Sequence, residues 1–126
     1  MKNVLAWAEI PATDLDRATR FYEALFQLQL IPVDTDEYKM RMFPVDEPGV
    51  HVSAAVIHAP GFYQPSSTDG VLVYLNGDPD LQQILDRVES AGGQVVMPKT
   101  QISPDYGYMA LILDTEGNRI GLHSNG

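Results

Sequence analysis

A chain of 126 residues with 44% hydrophobic and 20% charged side chains is long enough for one domain with its own core and too apolar to be disordered. It has no cysteine, which excludes disulfides and thiolate-bound metals and is compatible with a reducing compartment. The net charge of −9 repels phosphate backbones, so nucleic acid is not an expected partner; the charge serves solubility or, on a sharper reading, attracts a cationic ligand.

Residues 1–9 contain neither a long apolar run nor a small-residue cleavage site, and do not read as a signal peptide. No stretch approaches the ~18–20 apolar residues of a membrane span, so no membrane partner is expected and the expected location is the cytoplasm. Residues 4–10 alternate, with Leu5, Trp7 and Glu9 on one face and Ala6, Ala8 and Ile10 on the other, which is the pattern of a strand. Thr13 or Asp14 then offers a short side-chain oxygen to the unpaired N–H groups of a helix start. Leu15, Ala18, Tyr22 and Leu25 fall on one helical face, and the helix is expected to end near Phe26. Three strands follow at 28–33, 38–43 and 50–58, divided by turns at 34–36 and 44–49. Residues 59–70 hold two prolines, two glycines and two serines and read as a linker. Within it, Gly61-Phe62-Tyr63-Gln64-Pro65 is either a cover for a cleft or a partner, or a plain connection.

The pattern then restarts. Residues 71–75 form an apolar strand, Asp78-Pro79-Asp80 offers a cap, and Leu81, Ile84, Leu85, Val88 and Ala91 make a helical stripe closed by Gly92-Gly93. Strands are expected at 94–97, 108–113 and 119–123, with Thr115-Glu116-Gly117-Asn118 as the last turn. At an offset of 66 residues, Asp14 falls on Asp80, and Leu15, Ala18, Tyr22 and Leu25 fall on Leu81, Ile84, Val88 and Ala91. Coincidence of cap, stripe and preceding strand at one offset indicates an internal repeat. The fold class is α+β: one domain over 1–126 built from tandem βαβββ modules at 1–58 and 71–126. A curved sheet with one helix on its outer face leaves the inner face bare. Two such sheets, in one chain or across a dimer, enclose a cleft.

Ile10-Pro11-Ala12-Thr13-Asp14-Leu15-Asp16-Arg17-Ala18 followed by Phe21-Tyr22 resembles the first strand-helix junction of the vicinal oxygen chelate superfamily, which includes glyoxalase I, extradiol dioxygenases, fosfomycin-modifying enzymes and bleomycin-binding resistance proteins. The run from Leu113 to Ser124 resembles its closing hairpin, and the run from Ala91 to Thr100 is also typical. Members often carry Gly just after the first helix, where this chain has Gln27; a left-handed backbone there would strain a glutamine modestly. The resemblance implies a homodimer, a small-molecule ligand, and a divalent metal held by about four ligands on inward strand positions.

Spacing places those four positions at Trp7, Val73, Gly121 and a site near Ala55. None carries a donor, so no cofactor is predicted. Glu9 and His123 lie one strand period beyond Trp7 and Gly121 and should face the same way. They are the candidate catalytic residues, as an acid/base pair or, with Ser53, as an alternative divalent-metal site; otherwise they touch ligand or hold shape. Trp7, Ser53, Val73, Tyr74, Tyr108 and Gly121 are expected to line the cleft, with Met109 nearby, unless the aromatic residues serve only the core. His51 and His58 flank one strand on opposite faces and do not read as co-ligands. No phosphate-binding glycine loop, nucleophile elbow or redox cysteine pair is present. The reading is a glyoxalase-like protein that binds a small molecule in an internal cleft without the usual metal site, a relative of lyases or isomerases. The alternative is a metal-free ligand-sequestering protein of the bleomycin-resistance kind.

Overall fold

A computed structural model describes residues 3–126. In chain order it holds β1 (Trp7–Pro11), α1 (Leu15–Phe26), β2 (Ile31–Asp34), β3 (Lys39–Met42), β4 (Ser53–His58), β5 (Tyr74–Asn76), α2 (Leu81–Val88), β6 (Gln94–Ser103), β7 (Gly107–Leu113) and β8 (Arg119–Ser124). Two mixed four-stranded sheets result, ordered β1-β4-β3-β2 and β5-β8-β7-β6. In each, the strand before the helix lies parallel to the last strand of its unit. This is the α+β arrangement of repeated βαβββ units expected from the sequence.

The helices form where the capping chemistry sits. Asp14 accepts from Arg17 N at 3.1 Å and Asp80 from Gln82 N at 2.9 Å, each satisfying a donor that the first turn leaves open. Leu15, Ala18, Phe21, Tyr22 and Leu25 bury one face of α1, and Leu81, Ile84, Leu85 and Val88 bury one face of α2. The helices pack on each other and on one face of each sheet. There Ile10, Val56, Ile112, Ile120 and Leu122 join them in a single core.

Several boundaries differ from expectation. The second strand starts late because Leu30 is drawn into the core and its N–H is taken by Glu23 Oε2 at 2.8 Å. Regular α2 stops at Val88, ahead of Ala91, with Gly92 at φ 102° in the turn that follows. The sixth strand runs past Pro98 to Ser103 because, on an edge, register shifts absorb the missing N–H. The strand expected at 71–75 is Tyr74–Asn76.

The closing hairpin of the second unit also fixes the first helix. Glu116 accepts from Thr13 N, Asp14 N and Arg17 Nε at 2.9, 2.7 and 2.7 Å. Partial burial alone would raise the Glu116 pKa, but the Arg17 guanidinium and these N–H groups hold it down to about 2. Beneath it, the buried Tyr22 hydroxyl donates to Asp114 Oδ2 at 2.6 Å, and Asn118 Nδ2 bridges Asp114 to the Pro11 carbonyl. Burial pushes the Asp114 carboxyl up even though its donors pull the other way. Among the described residues no helix is long and apolar enough to cross a membrane.

Candidate functional site

Strand parity divides the side chains. On β1, Ile10 enters the core, so Trp7 and Glu9 project from the face the helices do not cover. On β8, Ile120 and Leu122 enter the core, and Arg119, Gly121 and His123 project the other way. Glu9 is half-buried. Its Oε1 accepts from the Tyr63 hydroxyl at 2.5 Å and its Oε2 from Trp7 Nε1 at 3.2 Å. Hydrogen bonding to Glu9 raises the Tyr63 pKa.

Three hollows adjoin these residues, one at Trp7 and two at Glu9 and Tyr63. One of about 410 Å³ lies beside Trp7, Met42, Ser53 and the loop that carries His51. One of about 330 Å³ lies between Glu9, Tyr63, Val73 and Arg119. One of about 350 Å³ lies between Glu9, Ile57, Phe62 and Tyr63. Tyr63 is thus a wall between the two hollows that Glu9 faces, and Gln64 and Phe62 each line one of them. A carboxylate offers about four acceptor sites; the two neutral donors leave Glu9 able to accept more.

The other predicted residues are placed as follows. Ser53 stands opposite Trp7 and donates to the Phe43 carbonyl at 2.6 Å. Val73 precedes β5, lines the hollow beside Glu9, and gives its carbonyl to Gly121 N at 2.9 Å. Tyr74 pairs with Gly121, on the uncovered face. Tyr108 corrects the expectation: it pairs with Ser124 and packs beside the core under Lys99 Nζ, 4.4 Å from its ring. It shares parity with Ala110 and Ile112, so it belongs to the helix side.

Glu9 and His123 are not brought together. His123 Nε2 donates to the Tyr106 carbonyl at 2.6 Å, and His123 lines neither hollow that Glu9 faces. Glu9 instead lies near the start of β8. Four residues of strand, roughly 13 Å at ~3.3 Å each, separate Arg119 there from His123. An acid/base couple or a shared ion would need the two much closer. His58 Nδ1 meets the Ala12 carbonyl at 2.9 Å and is occupied locally.

The four metal positions placed by spacing, Trp7, Val73, Gly121 and the one near Ala55, hold an indole, two aliphatic side chains and a glycine. The space where a side chain at Gly121 would project is filled: a Cβ built there meets the Tyr74 ring at 2.5 Å. This donor set does not fit a divalent ion. Among the described residues, no three His, Cys, Asp or Glu side chains gather in a way that could hold one.

Sequence reading missed two residues of the site. Tyr63 lay in a segment with no periodicity to orient it, although a cover for the cleft was one of its two readings. Arg119 was legible, since it precedes Gly121 by one strand period and must share its face.

Comparison with known proteins gives the same architecture. The curated relatives include "Putative glyoxylase CFP32" of Mycobacterium bovis and of Mycobacterium tuberculosis, each 29% identical over 120 residues. The match takes in 92% of this chain but 43% of the relative, so the chain spans less than half of their length. Glyoxalase I of Zea mays (V278E mutant) superposes with a TM-score of 0.75 at 18% identity, over 96% of this chain and 46% of that one. A glyoxalase/bleomycin resistance protein from Albidiferax ferrireducens T118 gives 0.71 at 15% identity, over 98% and 100%. TnmS3, an antibiotic binding protein from Streptomyces sp. CB03234, gives 0.69 at 20% identity, over 100% and 99%. Identities this low speak for the fold alone. A family model matches residues 4–122, nearly the whole chain, and the protein therefore belongs to the Glyoxalase/Bleomycin resistance protein/Dioxygenase superfamily.

Proposed function

We propose that this protein binds a small organic molecule in the cleft that runs along Trp7, Glu9 and Tyr63, and does so without the superfamily's metal. The observation that carries the reading is the setting of Glu9. Its carboxylate is held between two neutral donors, with no cation among the described residues bonded to it, at the junction of two hollows. A charged acceptor kept half out of water and left with spare lone pairs is poised for a donor group on a ligand. The surrounding Trp7, Met42, Ile57, Phe62 and Val73 supply the apolar lining that small-molecule sites share. Metal-free sequestration agrees with this setting, and one structurally similar protein is named as antibiotic-binding.

An enzymatic version of the reading keeps Glu9 as the base. It is supported by the close Tyr63 hydroxyl, a path along which a proton can move. His123 has no part in it. The protein acts in the cytoplasm as a homodimer, its partner covering apolar side chains exposed on strands, such as Ile31, Val96, Met97 and Ile102.

Trp7 is the only tryptophan and donates to Glu9, so its emission reports on the cleft. Titration with a panel of antibiotics that includes bleomycin, and with small carbonyl compounds, is expected to give saturable changes that weaken at least tenfold in Glu9→Gln. Affinity indifferent to that substitution would count against the reading.

A further inference from the structure

We propose that Arg119 is the anion-recognition point of the hollow beside Glu9, and that its ligand is a small carboxylate that also carries a hydroxyl or amino donor. This rests on the reading of Glu9 as a ligand contact and adds the chemistry of the second contact.

Arg119 Nε is buried and has no hydrogen-bond partner among the described residues. In a chain with 17 acidic and 8 basic residues, a guanidinium would be expected to find a carboxylate. The salt bridges among the described residues are Arg17–Glu116, Arg41–Asp34 and Lys99–Asp80, and none uses Arg119. It nonetheless lines the same hollow as Glu9 and Asp69. A desolvated donor on a fixed cation is costly to leave open. Its position is set from both sides, by the pairing of Arg119 with Leu113 and by the bond from Arg119 N to the Ser66 carbonyl at 3.2 Å. Residues that sacrifice stability in a cavity wall are the usual mark of a binding site.

The remaining chemistry follows from the two charges. The planar fork of Arg pairs best with a carboxylate or a similar oxyanion. Glu9 across the same space repels a ligand that is only anionic and needs a hydroxyl or ammonium donor opposite it. At about 330 Å³ the hollow stands at the small end of the ~300–1,000 Å³ of ligand sites. A 2-hydroxy or 2-amino carboxylate meets all three conditions.

Isothermal titration of the full chain with 2-hydroxy and 2-amino carboxylates, each beside its primary carboxamide, tests this. At least one acid should bind tenfold more tightly than its amide. Arg119→Gln should cost that acid at least tenfold and the amide less than twofold, and Arg119→Lys should fall between. Thermal denaturation should show Arg119→Gln no less stable than the wild type, because the substitution relieves the unpaired charge. No binding by any acid, equal binding of acid and amide, or an acid affinity untouched in Arg119→Gln would overturn the proposal. A neutral molecule whose binding fails in Glu9→Gln but not in Arg119→Gln would overturn it while leaving the cleft reading intact. An acid sensitive to Arg119 but indifferent to Glu9→Gln would support the anion contact and remove Glu9 from the site.

Discussion

The ring of Tyr74 lies across the backbone of Gly121, so close that a Cβ at 121 would stand 2.5 to 2.8 Å from three of its carbons. Tyr74 is half exposed, and Gly121 is buried beneath it. An aromatic cap thus occupies the last-strand position at which the resemblance implied a metal ligand.

Gly121→Ala is accordingly expected to destabilise the protein by about 1–3 kcal/mol, the usual range for overpacking. Tyr74→Ala should recover most of that loss, with a coupling above about 0.5 kcal/mol in a double-mutant cycle. Urea denaturation of the four proteins measures it. Additive effects would mean that the ring does not rest on Gly121.

Glu116 makes stability depend on acid. Its folded pKa of about 2 lies below its ordinary value of 4.5, so its contribution is complete above the ordinary value and is lost as the pH falls toward 2. Glu116→Ala should cost about 1.5–3 kcal/mol near neutral pH, the range for hydrogen bonds to a charged group. The gap to wild type should narrow steadily below pH 4.5. A gap that stays constant down to pH 2.5 would contradict the assignment.

Gln27 closes α1 at φ 53° and ψ 49°, a left-handed conformation that glycine adopts without a Cβ penalty. Gln27→Gly is expected to stabilise the chain by roughly 0.5–1 kcal/mol, the ~1–2 kcal/mol left-handed penalty less the greater chain entropy that glycine loses on folding. It should raise the denaturation midpoint while leaving the m-value unchanged.

With an indole, two aliphatic side chains and a glycine at the expected ligand positions, purified protein should carry no stoichiometric Ni, Zn, Mn or Fe, and chelation should leave the thermal midpoint where it was. Elemental analysis that finds one equivalent of a divalent metal would require donors other than those described.

The repeat, the caps and the core stripes were legible because each follows from a local rule: a carboxylate before a helix, a 3.6-residue period, a two-residue strand period. Parity also placed Trp7, Glu9, Gly121 and His123 on the uncovered face. Val73 lines the hollow beside Glu9 as expected, but it is not the repeat mate of Trp7, because the offset that aligns Asp14 with Asp80 does not hold in the strands. In the first unit Ile10 enters the core four residues before the cap, whereas in the second Leu75 does so five before. One residue of difference exchanges the faces, and Tyr74 takes the place expected of Val73. Tyr108 was misplaced because aromatic character alone does not choose between a core and a cleft. The pairing of Glu9 with His123 failed for another reason. Sharing a face does not fix position along a strand, and the hollow that Glu9 faces is lined by Arg119 and not by His123.

Trp7 emission in wild type and Glu9→Gln, titrated in parallel with one binding ligand, tests the central claim most directly. A saturable change in the wild type that weakens at least tenfold in the variant, with no metal added, is the result expected if the Glu9 carboxylate receives the ligand. Equal affinities in the two proteins, or binding that appears only when a divalent metal is supplied, would contradict it.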